Sequence, residues 1–327
     1  VLLAGATGYI GHRVARALAE SGRRLLCPVR PGADAATLGA LRKLPGATLL
    51  PVDVTDRDAL AAGLQGHRAE ALISCIASRG GGREDSWRVD YRGNANLLRW
   101  ALASGVRHFS LLSAICVQKP RLEFQRAKAR FETELAASGI SYSVLRPTAY
   151  FKSLCGQVGR VRAGRPYLLF GDGRLTACKP IAEGDLAALL LRSLEEPALQ
   201  GRVLPVGGPG PALTPLDQGR LLSRLAGRPL RTRSLPPALF TGAAGLLDLG
   251  ARLHRPLADK AEFARIGHYY ATESMLLWDP ARGCYDADAT PEYGHATLED
   301  CYRELLAGRA AQSQALGEHA LFSRRRR

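Results

Sequence analysis

The chain opens on Val1-Leu-Leu-Ala-Gly5-Ala-Thr-Gly8-Tyr-Ile-Gly11, in which an apolar run is followed by three glycines spaced three residues apart. Apolar residues at helical spacing continue from Ile10 to Ser21. A strand that turns through glycines into a helix lets a phosphate approach the backbone closely, where the N–H groups of the helix N terminus attract it. The stretch therefore predicts a dinucleotide-binding βα unit. Its candidate cofactor-binding residues are Gly5, Thr7, Gly8, Tyr9, Ile10 and Gly11.

Further strands and helices alternate after this unit. The predicted strands are 1–4, 24–29, 48–52, 71–76, 107–113, 141–146 and 202–206, and the predicted helices include 10–21, 94–103, 124–137 and 185–195. Continuous apolar strands separated by helices are typical of a parallel sheet covered on both faces. We predict an α/β protein with a Rossmann-type doubly wound parallel sheet and a smaller C-terminal substrate-binding lobe. The expected domains are an NADPH-binding domain at 1–150, with the sheet completed by about 200–208, a substrate-binding lobe at 151–322 with interleaved segments, and a basic tail at 323–327.

The composition is that of a globular protein, because 46% of the 327 residues are hydrophobic and 23% are charged. These fractions exclude a disordered or collagen-like chain. No apolar run reaches the roughly 20 residues that cross a bilayer. The seven cysteines are scattered and never spaced CxxC, which argues against a zinc or iron–sulfur site and favours a reducing compartment. Since the chain starts at Val1 inside a strand, without Met, the natural N terminus is expected upstream.

The formal net charge of +15 comes mostly from arginines spread along the chain. A nucleic-acid interface needs basic residues concentrated on one face, so we predict anionic small-molecule ligands and no nucleic acid. The one concentrated run, Arg324–Arg327, is compatible with peripheral contact to an acidic membrane.

The end of the second predicted strand bears on the choice of cofactor. Val29 is followed by Arg30, with no acidic residue at this position. An acid there binds the ribose 2′-hydroxyl of NAD, whereas an arginine accommodates the 2′-phosphate of NADP, so Arg30 favours NADPH over the alternative of an exposed loop arginine. Asp53 follows the third strand and has two interpretations: it accepts a hydrogen bond from the adenine amine, or it caps the helix that begins near Asp56.

Three later motifs indicate a superfamily. They are Asp90-Tyr-Arg-Gly93-Asn-Ala-Asn96, Ser113, and Phe124-Gln-Arg-Ala-Lys128. Together with the glycine spacing they resemble the extended or atypical short-chain dehydrogenases/reductases. In that superfamily a tyrosine four residues before the lysine gives a proton to a carbonyl oxygen. Phe124 stands in its place, which argues against ordinary ketone reduction and is similar to the isoflavone-reductase-like and NmrA-like branches.

A narrower resemblance spans nearly the whole chain. Its motifs are Ser113-Ala-Ile-Cys-Val-Gln-Lys-Pro120, Leu122-Glu-Phe-Gln-Arg-Ala-Lys128, Arg146-Pro-Thr148, Phe151-Lys-Ser153, Phe170-Gly-Asp-Gly173, Cys178-Lys-Pro-Ile181, Gly207-Gly-Pro-Gly210, Leu213-Thr-Pro-Leu216, Ile266-Gly267, Tyr269-Tyr270-Ala, Glu273-Ser-Met275 and Leu316-Gly-Glu-His-Ala-Leu-Phe322. They resemble the NADPH-dependent 8-vinyl reductases of chlorophyll and bacteriochlorophyll synthesis. The resemblance implies reduction of the 8-vinyl group of divinyl chlorophyllide a or divinyl protochlorophyllide a to an ethyl group. It also implies that the protein is located in the cytoplasm of a photosynthetic bacterium, at or near the photosynthetic membrane, or in a plastid.

The same resemblance makes Lys128 and Ser113 the candidate catalytic residues. Our hypothesis is hydride addition to the terminal vinyl carbon, so that negative charge forms beside the macrocycle and no oxyanion arises. Lys128 then either binds the nicotinamide ribose and adds positive potential or transfers a proton, and the alternative is a solvated helix lysine. An ordered water or Tyr150 is another proton source. Ser113 sits where a strand end meets the cofactor crevice, or its hydroxyl merely bonds to backbone.

A flat macrocycle with a propionate needs an apolar slot and a cationic group. The candidate substrate-binding residues are Phe151, Lys152, Tyr269 and Tyr270, with Arg146 or Lys179 as the partner of the anion. The aromatic residues from 265 to 275 have helical spacing, which is more typical of core positions than of a ligand-binding wall. His268 is a candidate axial ligand of the pigment's magnesium, against the alternative of a structural histidine. No protein metal site is predicted.

Two other functions fit the same sequence. One is an isoflavone-reductase-like ene-reductase with a smaller conjugated substrate. The other is a non-catalytic NADP-sensing regulator of the NmrA type, which would bind the cofactor without turnover. The oligomeric state is not indicated by any motif.

Overall fold

Strands and helices alternate through the first half of the chain. The structure, a computed structural model, describes residues 1–251 and 256–308. The elements of the first half are β1 (Leu2–Ala4), α1 (Tyr9–Glu20), β2 (Leu25–Val29), α2 (Ala35–Arg42), β3 (Ala47–Pro51), α3 (Arg57–Gly63), β4 (Ala71–Ser74), α4 (Arg83–Ser86), α5 (Asn94–Ala103), β5 (His108–Leu112), α6 (Glu123–Ala137) and β6 (Ser141–Pro147). A π-helix over Trp87–Gly93 joins α4 to α5.

The second half contains shorter strands and more irregular connections. Its elements are α7 (Phe151–Leu154), α8 (Val158–Arg162), β7 (Tyr167–Phe170), α9 (Glu183–Arg192), β8 (Arg202–Val206), α10 (Pro215–Leu225), β9 (Thr232–Leu235), α11 (Ala238–Ala251), α12 (Pro256–Thr272), β10 (Leu277–Asp279), β11 (Cys284–Asp286) and α13 (Leu298–Leu306). No helix of the described residues combines the length and the apolar character needed to cross a membrane.

Seven strands form one sheet in the order β3-β2-β1-β4-β5-β6-β8. β1 pairs in parallel with both β2 and β4, and β2 with β3, β4 with β5 and β5 with β6 are parallel as well. The strand order reverses between β1 and β4, and ligands of open α/β sheets bind outside the carboxyl ends of the strands at such a point. The predicted doubly wound fold and the late return of the chain to the sheet are confirmed.

The chain divides into two compact units with interleaved segments. The first comprises residues 1–79, 83–146 and 183–204, and the second comprises residues 80–82, 147–182 and 205 onward. The second unit thus begins at Pro147, and the segment with α9 returns to the first unit. The predicted tail at 323–327 and the motif at 316–322 lie outside the described residues.

The first unit is built around strands that are apolar on both faces. Leu2, Leu3, Leu72 and Ile73 have no exposed surface, because helices cover both sides of the sheet. Phe109 of β5 packs against Phe131 of α6, with ring centroids 5.8 Å apart. This packing fixes α6 along the sheet and sets the position of the side chains that α6 carries.

The second unit has its own core, formed by segments far apart in sequence. Its buried apolar residues are Phe151, Cys155, Val158, Val161, Tyr167, Leu169, Ala182, Leu222, Leu298, Tyr302 and Leu305. β7 pairs in parallel with β9, and β10 with β11 forms an antiparallel hairpin. α11 and α12 pack along each other as a helical pair.

Candidate active site

The loop between β1 and α1 accepts only glycine at two positions. Gly5 has a φ of +85°, and a β-carbon there would lie 2.7 Å from the carbonyl carbon of Cys75. A β-carbon on Gly11 would lie 2.0 Å from the carbonyl oxygen of Gly5. Gly8 begins the helix in an extended conformation, and no side chain caps this end of α1 within the described residues. The first N–H groups of α1 are therefore available to a pyrophosphate, and the cradle fits a dinucleotide.

The other predicted residues of this loop have different environments. Thr7 is half-buried and Gly8 is exposed, so this part of the loop is accessible to a ligand. Tyr9 is the first residue of α1 and is half-buried. Ile10 is only 6% exposed and belongs to the core. We infer that Ile10 supports the loop by packing, while a cofactor would contact Thr7 and the backbone around it.

Arg30 and Asp53 follow the carboxyl ends of β2 and β3. Arg30 is exposed, and no described carboxylate lies within ion-pair distance of its guanidinium. Asp53 is half-buried, and its Oδ1 accepts a hydrogen bond from Thr55 N at 2.9 Å. The cap of α3 is Asp56, which accepts from two backbone N–H groups at 3.0 Å. Of the two interpretations of Asp53, the helix cap is therefore wrong.

Lys128 is a buried residue of α6 rather than a solvated one. Its residue surface is 8% exposed, and its Nζ lies 2.9 Å from Asp90 Oδ1. The carboxylate of Asp90 is almost completely buried, with 1% of its side chain exposed. The predicted alternative of a solvated helix lysine is excluded. The structure instead places a fixed positive charge, balanced by one carboxylate, inside the first unit.

The ammonium of Lys128 lies near two thiols, those of the half-buried Cys75 and the buried Cys116. Burial raises the pKa of Cys75 to about 12 and that of Cys116 to about 11, and in both cases the nearby ammonium of Lys128 opposes the increase. Cys75 directly follows β4, and its backbone is the one that Gly5 approaches. Lys128 therefore lies toward the carboxyl edge of the sheet, in the neighbourhood of the glycine loop.

Asp90 is a site residue to which the sequence analysis assigned no role. It lies in the π-helix, a local widening that is frequent at functional sites. Its Oδ2 accepts from Ser78 N at 3.3 Å, and its carbonyl oxygen accepts from Asn94 Nδ2 at 2.8 Å. The motif that contains Asp90 and Asn94 gave a signal for this residue. The pairing of Asp90 with Lys128 could not be predicted, because it depends on the contact between α6 and the π-helix.

Ser113 directly follows β5, and its hydroxyl donates to Glu132 Oε1. Glu132 is 5% exposed and lies one helical turn after Lys128 on α6. Arg146 of β6 donates to Glu132 Oε2 from Nε at 3.0 Å and from a terminal nitrogen at 2.5 Å. The alternative in which Ser113 bonds only to backbone is wrong. Arg146, predicted as an anion partner, is already paired with a buried carboxylate, and Glu132 was missed.

The four predicted substrate residues all belong to the second unit. Phe151 is 4% exposed and Tyr269 is 4% exposed, so both are core residues. Tyr270 is 41% exposed and meets Tyr269 edge to face, with ring centroids 5.9 Å apart. Lys152 is half-buried. Among these side chains, Tyr270 and Lys152 have the surface that a bound ligand requires.

Two further predictions in the second unit concern a cation and a metal ligand. Lys179 is buried, and its Nζ lies 2.6 Å from Glu292 Oε1, so this ammonium is paired within the protein. His268 is half-buried on α12. Within the described residues no three His, Cys, Asp or Glu side chains are grouped so that they could hold a metal ion. Because its ammonium is already paired with Glu292, Lys179 is a weaker candidate than the sequence indicates for binding the propionate of a substrate.

Comparisons with known proteins agree with this arrangement. A family model described as NAD(P)H-binding matches residues 5–197. The divinyl chlorophyllide a 8-vinyl-reductase of Oryza sativa subsp. indica is 47% identical over 98% of this chain and 82% of its own length, and that of Zea mays is 48% identical over the same shares. The crystal structure of the NADPH-dependent quinone oxidoreductase QOR2 from Escherichia coli in complex with NADPH has the same fold, with a TM-score of 0.66 at 23% identity over 93% of this chain and 99% of that one.

The motifs that suggested an 8-vinyl reductase extend over the same nearly full-length match. The glycine cradle, the buried lysine of α6 and the identity to these relatives all lead to one assignment. The chain belongs to the NAD(P)H-binding family and, within it, to the divinyl chlorophyllide a 8-vinyl-reductases.

Proposed function

We propose that this protein uses NADPH to reduce the 8-vinyl group of divinyl chlorophyllide a or divinyl protochlorophyllide a to an ethyl group. The observation that carries the proposal is that α6 holds both Lys128, in a buried ion pair with Asp90 of the π-helix, and a phenylalanine at position 124. A nucleotide cradle beside a fixed charge, without a tyrosine hydroxyl at that position, suits the reduction of a carbon–carbon bond better than that of a carbonyl.

Three features of the first unit are assigned to holding the cofactor. The N–H groups at the start of α1 bind the pyrophosphate, and Arg30 binds the 2′-phosphate that distinguishes NADPH from NADH. Bound NADPH supplies a hydride. Lys128, fixed by Asp90 at 2.9 Å, hydrogen-bonds the nicotinamide ribose and keeps a positive charge near the reacting atoms.

The chemistry of the vinyl group explains why Phe124 is sufficient. One hydride and one proton together convert the vinyl group to an ethyl group. If the hydride adds to the terminal carbon, the negative charge forms on the carbon attached to the macrocycle, which delocalises it. No oxyanion forms, so no hydroxyl at position 124 is needed to protonate oxygen. The proton is delivered to the inner carbon by Lys128, by an ordered water molecule or by Tyr150.

Ser113 and Glu132 support this site from the end of β5. The carboxylate of Glu132 accepts from Ser113 and from Arg146, so the three side chains form one buried network. We assign Ser113 to orienting the nicotinamide end of the cofactor, and Glu132 to holding Ser113 in place. The substrate contacts are assigned to Tyr270 and Lys152 in the second unit. We place the reaction in the cytoplasm of a photosynthetic bacterium, or in a plastid.

The test is conversion of the two pigments. Purified protein is incubated with divinyl chlorophyllide a or divinyl protochlorophyllide a, each with NADPH or NADH, and the pigments are separated by chromatography. We expect an 8-ethyl product with NADPH, and we expect Arg30→Ala to reduce the preference for NADPH over NADH by about tenfold. Arg57→Ala, which replaces an exposed arginine at the start of α3, is the control and should leave the preference unchanged.

Isotope transfer tests the direction of addition. With NADPH deuterated at C4 on the transferred side, we expect the label in the methyl carbon of the new ethyl group. Label in the methylene carbon would reverse the assignment of the hydride acceptor. If NADPH binds tightly and neither pigment is converted, the protein is either an ene-reductase for another conjugated substrate or a cofactor-sensing regulator.

A further inference from the structure

Two thiols of the second unit lie in contact with each other. The Sγ atoms of Cys155 and Cys301 are 3.6 Å apart, although 146 positions separate the two residues in sequence. Both are free thiols; Cys155 is 2% exposed, whereas Cys301 is half-buried. A disulfide bond has an S–S distance of about 2.05 Å, so a movement of roughly 1.5 Å would join them. The pair is therefore one small displacement away from a covalent bond between distant segments.

A hydrogen bond beside the thiols holds the two segments in register. Tyr302 follows Cys301 on α13, and its hydroxyl donates to the carbonyl oxygen of Leu154 at 3.1 Å. Leu154 directly precedes Cys155, and Tyr302 has no exposed surface. Because the residues next to both cysteines are joined in the core, packing of the backbone segments brings the two thiols together.

Cys155 also connects this contact to α7. Its thiol donates to the carbonyl oxygen of Phe151 at 3.0 Å, and its backbone N–H donates to the carbonyl oxygen of Lys152 at the end of α7. Lys152 is half-buried and is assigned above to contact the pigment. A disulfide would remove the thiol hydrogen from the carbonyl of Phe151 and draw the end of α7 toward α13. The oxidation state of the pair therefore acts on the turn that carries Lys152.

We propose that Cys155 and Cys301 form a reversible disulfide by exchange with a small-molecule disulfide such as oxidised glutathione, and that the linked form binds its pigment more weakly. Formation of the bond depends only on the thiol contact, whereas its effect on the pigment rests on the proposed function. An excess of reduced thiol returns the pair to two free cysteines. The site thus responds to an oxidising change in its surroundings.

The exchange takes place in two balanced steps. Cys301, the more accessible of the two, attacks one sulfur of oxidised glutathione as a thiolate; the glutathione S–S bond breaks and one glutathione leaves. Cys155 then attacks the Cys301 sulfur of the mixed disulfide, and the second glutathione leaves. The protein loses two electrons and two protons, which the two released glutathione thiols take up. The second step is intramolecular between groups already in contact, so it is faster than attack by another glutathione.

The first experiment detects the bond itself. The full chain is equilibrated with oxidised glutathione, free thiols are alkylated, and the unreduced peptides are analysed by mass spectrometry. We expect a peptide pair linked through Cys155 and Cys301 that dithiothreitol separates. Cys301→Ser should abolish this pair, whereas Cys284→Ser, which changes a half-buried cysteine of β11 in the same unit, should leave it unchanged. Absence of the link in the parent, or a stable glutathione adduct on Cys301 in its place, would overturn the proposal.

The second experiment measures the affinity for the pigment by absorbance titration, which does not require turnover. In the oxidised parent we expect the Kd of divinyl chlorophyllide a to rise about tenfold, while the Kd of NADPH stays the same. Dithiothreitol should restore the pigment affinity. Cys301→Ser should keep the affinity of the reduced parent under both conditions. Linked protein with an unchanged pigment affinity would overturn the effect on the pigment.

A second variant guards against misfolding. Cys155→Ser keeps a hydroxyl donor for the carbonyl of Phe151 and should behave as Cys301→Ser does. Thermal unfolding and NADPH binding show whether each variant is folded. If the reduced parent binds the pigment and does not convert it, the proposed function fails, while the peptide map and the titration still decide whether the disulfide forms and what it does.

Discussion

The two units of the molecule achieve a packed interior in different ways. In the first, neighbouring segments of sequence become neighbouring strands and helices, and the sheet joins β1 to β2 and β2 to β3 in simple succession. In the second, Phe151 and Tyr167 share a core with Tyr302, which lies far along the chain. Local patterns therefore suffice to recognise the first unit, whereas the second is defined by contacts between distant segments.

The two units also differ in how deeply the carboxylates of their ion pairs are buried. The first buries two ion pairs, Lys128 with Asp90 and Arg146 with Glu132, in which both carboxylates are 5% exposed or less. In the second, the buried Lys179 pairs with Glu292, whose side chain is 45% exposed. An ion pair closed off from water is held rigidly, and one partner cannot be removed without leaving an uncompensated charge. Variants that act on each unit separately test this difference.

The largest effect is expected for Lys128→Met. Removing the ammonium leaves Asp90 charged and buried, which should lower the free energy of unfolding by about 3–5 kcal/mol. Turnover should fall at least about 100-fold, because the positive charge beside the cofactor is lost as well. Chemical denaturation measures the first quantity, and single-turnover pigment conversion measures the second.

A second substitution separates stability from catalysis at this pair. Asp90→Asn combined with Lys128→Met removes both charges, so most of the lost stability should return while turnover stays low. Recovery of turnover together with stability would mean that Lys128 has a structural role only.

Gly11→Ala should come next. Its β-carbon would fall 2.0 Å from the carbonyl oxygen of Gly5, so α1 must move away from the loop that receives the pyrophosphate. We expect NADPH to bind at least about 100-fold more weakly, a loss of about 2.8 kcal/mol, as measured by fluorescence titration. Gly39→Ala in α2 is the control, because a β-carbon there meets nothing within 4 Å. Equal affinities for both variants would contradict the close approach seen at Gly11.

An intermediate effect is expected from pH, through His108 of β5. Burial lowers the pKa of His108 to about 4, and its ring nitrogens contact Ser141 and Ser143. Since the unfolded chain takes up this proton below about pH 6.5 and the folded chain does not, stability falls as the pH drops from 6.5 toward 4. Replacement by His108→Gln should reduce the loss of unfolding free energy over this range by about 2 kcal/mol. Parallel curves for parent and variant in denaturation experiments would argue against a buried neutral imidazole.

The smallest effect belongs to the second unit. Tyr302 has no exposed surface, and its hydroxyl donates to the carbonyl oxygen of Leu154 at 3.1 Å. Tyr302→Phe should lower the free energy of unfolding by about 1 kcal/mol, because one buried hydrogen bond is lost. The exposed ring of Tyr270 provides the comparison, and Tyr270→Phe should change stability by less than about 0.5 kcal/mol. A larger effect at Tyr270 would show that the surface of this unit is more constrained than its core.

Much of the fold was predictable because short-range physics produces it. The apolar run before Gly5, the glycine spacing and the helical periodicity of α6 depend only on nearby residues, and the predicted bounds of these elements agree with the structure to within a few residues. The resemblance carried by Ser113 and Lys128 likewise led to the family that the relatives support.

The sequence by itself determined the glycine cradle and the family of the protein. The cradle could be recognised because a glycine is required wherever a β-carbon would meet the backbone. Only the tertiary structure decided the partners of the charged residues. Asp90 meets Lys128, and Glu132 joins Ser113 to Arg146, because α6 lies against both the π-helix and the sheet. Pairing of this kind depends on the packing of elements distant in sequence. When packing excludes water from a charged side chain, an opposite charge has to compensate it. This requirement decides which charged residues pair.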